Sequence, residues 1–144
     1  MRFLVDVMLG KLATYLRMCG HDAAYARDRG VEDDDVLALA REEDRRIVTR
    51  DADLAATSRG SVRVDATDIE GQRRELRAAG IDLALGDPER CSRCNGVLER
   101  VGEDGTPEDA PDPTDQSVWR CRACGQHYWR GSHWDDVRER LESV

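Results

Sequence analysis

Two kinds of residue in this chain stand in patterns that could do chemistry: cysteines in pairs, and aspartates placed directly after short apolar runs. Cys91-Ser92-Arg93-Cys94 and Cys121-Arg122-Ala123-Cys124 are C-x-x-C units, followed by Asn95-Gly96 and by Gly125. Four thiolates at this spacing predict a tetrahedral Zn²⁺ site of the ribbon type, with two ligands from each knuckle. The 26 residues between Cys94 and Cys121 exceed the commoner interval. The excess falls in an acidic stretch with Pro107, Pro111 and Pro113 that predicts a flexible loop over about 102–117. A closed four-thiol shell leaves no position for water, so the expected zinc is structural and holds together a piece too small to build its own core. A redox dithiol is the competing reading, but it would not need two knuckles.

The acidic set begins at Asp6, where the apolar run Phe3-Leu4-Val5 ends on a carboxylate. Asp51 follows the run Ile47-Val48-Thr49 in the same way, Asp53 stands behind it, and Asp33 opens a helical stretch. Carboxylates gathered at one sheet edge repel one another unless a cation intervenes. Hard oxygen ligands suit Mg²⁺ or Mn²⁺, which keep several waters and bind substrate phosphates. That is the apparatus of metal-assisted phosphodiester hydrolysis. The plainer reading of the same acids is helix caps and solvated surface, Asp33 being well placed as an N-cap. Lys11 lies within about two helical turns of Asp6, where it could meet a phosphate. Lys11 and Arg17 both fall off the apolar stripe of their helix, so solvated surface positions are the plainer reading for them as well.

The elements that must position these groups alternate at short spacing. The run at 2–6 suits a strand buried on both faces of a parallel sheet, and 9–19 places Leu9, Leu12, Ala13, Leu16 and Cys19 at helical spacing before Gly20. Strands are expected at 22–26, 46–49 and 61–65, helices from 33, from 51 and over 68–79, and an edge strand at 81–85. Such alternation predicts right-handed βαβ crossovers and one doubly wound α/β domain over 1–87, a three-layer α/β/α arrangement around a parallel sheet. In a flavodoxin-like order the first and third strands are neighbours, which brings Asp6 and Asp51 to one edge, where ligands of open α/β sheets bind. From Pro88 the character changes to knuckle, strand, loop, strand, second knuckle and strand. These make a small zinc ribbon over 88–134, followed by a terminal helix at 135–144.

Composition bounds the partners. No apolar run approaches the roughly 20 residues that span a bilayer, so no membrane partner is expected, and Phe3 to Val5 is too short for the core of a signal peptide. Net charge is −8, Asp outnumbers Glu, and Lys11 is the only lysine. Such a surface fits a protein kept solvated in concentrated salt, a halophilic composition, or in part a GC-rich genome. A negative chain repels nucleic acid at low ionic strength, an objection that weakens where the Debye length shrinks to about 3 Å at 1 M salt. Paired C-x-x-C units place the chain in a reducing cytoplasm, and Cys19 is left as a small core residue. A homodimer is compatible with all of this.

Residues 3–12, then 16–22, Ile47-Val48-Thr49-Arg50-Asp51, Arg90-Cys91 with Cys94-Asn95-Gly96, and Cys121 to Cys124 with Tyr128-Trp129-Arg130-Gly131-Ser132-His133-Trp134 together resemble the Mut7-C (Mut-seven C-terminal) RNase domain family. These are PIN-like ribonucleases with a zinc ribbon fused behind the nuclease fold. The resemblance implies Mg²⁺- or Mn²⁺-dependent cleavage of RNA, with Asp6, Asp33 and Asp51 as metal ligands. It implies Lys11, Arg17 and Arg50 as phosphate contacts, and Asp53 or Asp65 as a fourth acid. Asp34 and Asp35 adjoin Asp33 and share its candidacy. His133, between aromatics, is a candidate for stacking on a base, against a structural role in which the tryptophans pack the ribbon on the α/β domain. Two other functions compete. One is a non-catalytic RNA- or ribosome-binding adaptor working through the ribbon; the other is a phosphatase using Asp51-x-Asp53, a motif expected after the first strand.

Overall fold

A computed structural model describes residues 2–31, 33–58, 60–83, 89–101 and 118–129. Its centre is the strand β1 (Arg2–Val5), which pairs in parallel with β2 (Asp22–Tyr25) on one side and β3 (Arg46–Thr49) on the other; β3 in turn pairs with β4 (Val62–Arg63). The order β2-β1-β3-β4 makes the first and third strands neighbours, as expected of a flavodoxin-like order. The helices α1 (Gly10–Met18), α2 (Asp33–Glu43) and α3 (Ala52–Thr57) run between the strands, and α4 (Ile69–Ala78) follows β4.

Alternation along β1 sorts the core into two faces. Phe3 and Val5 join Leu12 and Leu16 of α1, Val48 of β3 and Leu76 of α4 on one side. Leu4 and Ile47 meet Val36 and Ala40 of α2 on the other. Each fully buried Leu or Phe in these clusters contributes about 1.5–3 kcal/mol, which is how a chain with one phenylalanine builds its interior from aliphatics. Asp51 caps α3 by accepting from the amides of Asp53 and Leu54, and Asp68 caps α4 by accepting from that of Gly71. Gly20 and Gly80, at φ +88° and +87°, follow α1 and α4.

Two expectations give way to local chemistry. The expected strand at 61–65 shortens to Val62–Arg63, because the amides of Asp65 and Ala66 donate to the Glu75 carboxylate of α4 at 2.7 and 3.1 Å. The expected edge strand is absent over 81–83, and 84–85 lie outside the described residues. Ile81 and Leu83 are buried in the core, yet their backbone serves other partners: Ile81 N–H returns to the Leu76 carbonyl, and the Leu83 carbonyl accepts from the Cys19 thiol. Burial pushes that thiol up to about 12, as expected of a core cysteine.

The second sheet is antiparallel, with β6 (Val118–Cys121) between β5 (Leu98–Arg100) and β7 (His127–Trp129). The expected loop at 102–117 and helix at 135–144 lie outside the described residues, as does His133.

Charge ties the start of β2 to the end of α2. Arg45 donates to Asp22 Oδ1 and to Glu43 Oε1, each at 2.7 Å, and Arg29 pairs with the same Glu43. The Arg29 and Arg45 guanidinium groups hold the Glu43 carboxyl down at about 2, against 4.5 for a free one. A carboxylate whose folded pKa is depressed stabilises fully above its unfolded value and loses that contribution as pH falls towards the folded one. Glu43→Gln should therefore lower the urea midpoint at pH 7, and the difference from wild type should vanish as pH falls from 4.5 to about 2. Urea unfolding at a series of pH values checks this; a difference that persists unchanged at pH 2 would contradict it.

Candidate functional site

At the carboxyl end of β1, Asp6 is 2% exposed. A carboxylate so buried is costly unless its oxygens find donors, and each does: Oδ1 accepts from the Val7 amide at 2.8 Å, Oδ2 from the Thr49 hydroxyl at 2.6 Å. Thr49, the last residue of β3, is wholly buried, and its Oγ1 also accepts from the Asp51 amide at 3.0 Å. One hydroxyl thus joins the Asp6 carboxylate to the backbone of Asp51. Each Asp6 oxygen keeps a second lone pair for a cation. Tyr25 steadies the same loop, its hydroxyl donating to the Val7 carbonyl at 2.5 Å from the end of β2.

Asp51 and Asp53 are exposed. Oδ1 of Asp51 is engaged in capping α3, and Asp53 lies in the first turn of that helix. Asp33 opens α2, which follows the carboxyl end of β2 and so starts at this edge, but the Asp33 and Asp34 side chains lie outside the described residues; Asp35 is exposed. Asp65 is exposed and paired with Arg63. Among the described residues, these acids do not close into a group of three ligand atoms around one point. A cation that keeps its waters does not need them to, since Mg²⁺ is commonly held by one or two carboxylates together with the substrate's phosphates.

The expected phosphate contacts divide. Lys11 and Arg50 are exposed, Arg50 standing directly after Thr49. A cleft of about 590 Å³ opens between the starts of α1 and α4; its lining begins two residues after Asp6 in sequence and includes Met8, Lys11, Thr67, Asp68, Ile69 and Gln72. Arg17, in contrast, is 4% exposed. Its Nε donates to the Ala23 carbonyl at 2.8 Å and its NH1 to the Ser92 carbonyl at 3.1 Å, and burial lowers its pKa. Its position off the apolar stripe does not make it a surface residue. Its guanidinium is spent on joining α1 to β2 and to the first knuckle.

The four knuckle cysteines meet, their sulfurs all within 4.8 Å of one another, with Cys91–Cys124 at 3.6 Å and Cys94–Cys121 at 3.5 Å. A tetrahedron with Zn–S bonds of 2.3 Å has edges of about 3.8 Å, so the cluster can hold a zinc ion. Crowded thiols cannot all ionise without a cation. Burial, reinforced by hydrogen bonds with its neighbours, pushes Cys94 up to about 12. Gly96 makes the approach possible: a Cβ there would stand 2.6 Å from Cys121 Sγ. Tyr128 shares its hydroxyl with Cys91 Sγ at 3.0 Å and with Ser92 Oγ at 3.2 Å. Trp119 packs within this small core beside Cys91, Leu98 and Cys121. Of the residues that hold these sites, sequence reasoning passed over Thr49, Tyr25 and Tyr128. A hydroxyl residue closing an apolar strand directly before an acid was the available signal for Thr49.

No curated protein and no solved structure matches the chain significantly. A family profile described as the Mut7-C RNAse domain matches residues 1–141, nearly the whole chain and both sheets. With an acid-ended parallel sheet and a four-thiol knuckle pair in the order that the resemblance requires, the chain belongs to the Mut7-C RNAse domain family, whose description is of a ribonuclease-type function.

Proposed function

We propose that the chain is a metal-dependent ribonuclease that hydrolyses phosphodiester bonds of single-stranded RNA with an acidic Mg²⁺ or Mn²⁺ site at the carboxyl edge of the parallel sheet. In this reading, residues 1–87 form the nuclease unit and 88–134 a structural zinc ribbon. The observation that carries it is the Asp6 carboxylate, buried, singly engaged at each oxygen and aimed by Thr49 at the place where α/β folds bind ligands. A buried carboxylate fixed by two neutral donors is preorganised in position to meet a hard cation.

In this role Asp6 is the principal Mg²⁺ or Mn²⁺ ligand, with Asp51 and Asp33 completing the set directly or through water, and Asp53 as the fourth acid. Bound there, the cation would supply Lewis-acid stabilisation of the phosphate and a more acidic water. Thr49 fixes the rotamer of Asp6. Lys11, which lines the cleft at the start of α1, and Arg50, exposed next to Asp51, supply the phosphate contacts. Met8, 61% exposed, and Ile69 give the cleft an apolar wall for a base.

One observation favours a second reading, in which the ribbon binds RNA without cleaving it. The two stretches that form its sheet, 89–101 and 118–129, carry Arg90, Arg93, Arg100, Arg120 and Arg122 against Glu89 and Glu99, while six acids between 102 and 117 make the ribbon as a whole net negative. The pairing of Arg120 and Arg122 with Glu99 reduces the charge on offer, so this reading stands second. RNA retention that survives Asp6→Asn but is lost with Cys121→Ser would favour it.

Three outcomes test the nuclease. Wild type with Mn²⁺ should cleave a labelled single-stranded RNA, best in molar KCl, and Asp6→Asn should reduce the rate by about a hundredfold or more with EDTA abolishing it; equal cleavage by the two proteins would sink the proposal. Thr49→Val keeps the shape of the side chain but removes the hydroxyl, and should weaken Mn²⁺ binding and activity by about 10–100-fold, measured by Mn²⁺ titration. Lys11→Ala should raise KM by about fivefold, roughly 1 kcal/mol, and leave kcat nearly unchanged.

A further inference from the structure

β2 is an edge strand, and an edge strand presents backbone groups with no ladder partner. Ala23 is such a position: it is wholly buried, its N–H and C=O turn away from β1, and both are taken by side chains. Arg17 of α1 donates to the carbonyl at 2.8 Å, and the amide donates to Asn95 Oδ1 at 2.8 Å. Asn95 is the residue directly after the knuckle cysteine Cys94. Its other amide atom, Nδ2, donates to Asp22 Oδ1 at 2.6 Å, so one carboxamide closes two consecutive residues of the sheet edge.

The knuckle sets where that carboxamide stands. Asn95 has φ +68°, a left-handed conformation that Asn tolerates better than most residues. Its amide donates to the Cys91 carbonyl at 2.9 Å, the Cys91 amide to the Gly96 carbonyl at 2.8 Å, and Arg90 to the Asn95 carbonyl at 3.2 Å. The turn that carries Asn95 is thus the turn that brings Cys91 and Cys94 to one ion. On the receiving side, Asp22 gathers Arg45 at 2.7 Å, Arg2 at 3.5 Å and Arg90 at 3.7 Å, and the bonds from Arg45 and Asn95 outweigh the cost of its burial and keep it ionised.

We infer that Asn95 couples zinc loading of the knuckles to closure of the β2 edge, so that the ribbon is the plug of the first sheet and not an appendage to it. Metal binding fixes the turn, the turn presents the carboxamide, and the carboxamide satisfies Ala23 and Asp22. Linkage makes this reciprocal: whatever the docked edge adds to the stability of the turn, it adds to zinc affinity. The coupling rests on zinc binding at the four thiols but not on nuclease activity, and its readouts are chosen accordingly.

The test uses the full chain loaded with zinc. Asn95→Gly removes the carboxamide while accepting the left-handed backbone without strain. It should bind zinc about tenfold more weakly in competition with a chromophoric chelator, within the usual span of coupling between sites. In the zinc-loaded variant, amide exchange at Ala23 should accelerate about tenfold or more while that of Leu4 and Val48 in the sheet centre holds. Chelation of wild type should accelerate Ala23 in the same selective way. Asn95→Gly with zinc affinity and Ala23 exchange unchanged overturns the coupling, and a wild type that takes up no zinc overturns its premise. Should Asn95→Gly fail to fold, Asn95→Asp sets a like charge against Asp22 and should weaken zinc binding. Adding Asp22→Asn restores a donor–acceptor pair and should recover zinc affinity; no recovery overturns the proposal.

Discussion

A buried carboxylate has to be satisfied, and the first sheet is arranged around satisfying one. Asp6 reaches the edge because Phe3, Leu4 and Val5 occupy both faces of the central strand and drive it through the middle of the core. At that point water is excluded, and two donors take its place, one from the next peptide and one from the strand alongside. The register Val5↔Val48 follows from packing and puts Thr49 beside Asp6. A slip of one residue would turn Thr49 away and leave the carboxylate oxygen bare, at a cost of about 1–3 kcal/mol or more for a charged group. Register and proposed site therefore enforce each other.

The second dependency runs through β2. That strand holds the Asp6 loop at one end, by Tyr25 on the Val7 carbonyl, and the first knuckle at the other, by Asp22 and Ala23 on Asn95. Arg17 lies across the same strand from α1 and reaches the knuckle as well. Hydrogen bonds to charged groups contribute more than neutral ones, about 1.5–3 kcal/mol each, and several converge here with little water to compete. Of the contacts described between ribbon and first sheet, these polar ones do the holding; Trp119 packs inside the ribbon.

Much of this could be read from the residues. Buried parallel strands are short apolar runs with a fixed look, so β3 is legible to the residue, and the neighbouring of β1 and β3 agrees with the flavodoxin-like order expected for the domain. Paired C-x-x-C units speak for themselves because few other chemistries need that spacing. The misses have one physical cause. The absence of a strand over 81–83, the length of β4 and the burial of Arg17 were all decided by where backbone groups found side-chain partners distant in sequence: Glu75 for Asp65 and Ala66, Cys19 for Leu83, the Ala23 and Ser92 carbonyls for Arg17. Periodicity reports which face of an element is apolar. It carries no record of a carbonyl waiting at a sheet edge, so Arg17, Thr49 and Asn95, which answer such groups, look like ordinary polar positions.

The same accounting bears on how so acidic a chain could take an anionic substrate. Long-range repulsion by a net charge of −8 acts on approach and is screened by salt, whereas contact at the edge depends on which cations are still free to turn outward. The fold spends many of its arginines internally, with Arg17, Arg45 and Arg90 committed to carbonyls and to Asp22. Lys11 and Arg50, near Asp6 and Asp51 in sequence, are exposed and have no such contact among the described residues. A cation bound at the acids would add two positive charges at the one place where the surface must attract a phosphate. Under the proposed reading, a net negative chain would favour selective engagement at a cation-loaded edge over tight binding. High salt would relieve that long-range repulsion more than it weakens contacts made within a few ångströms.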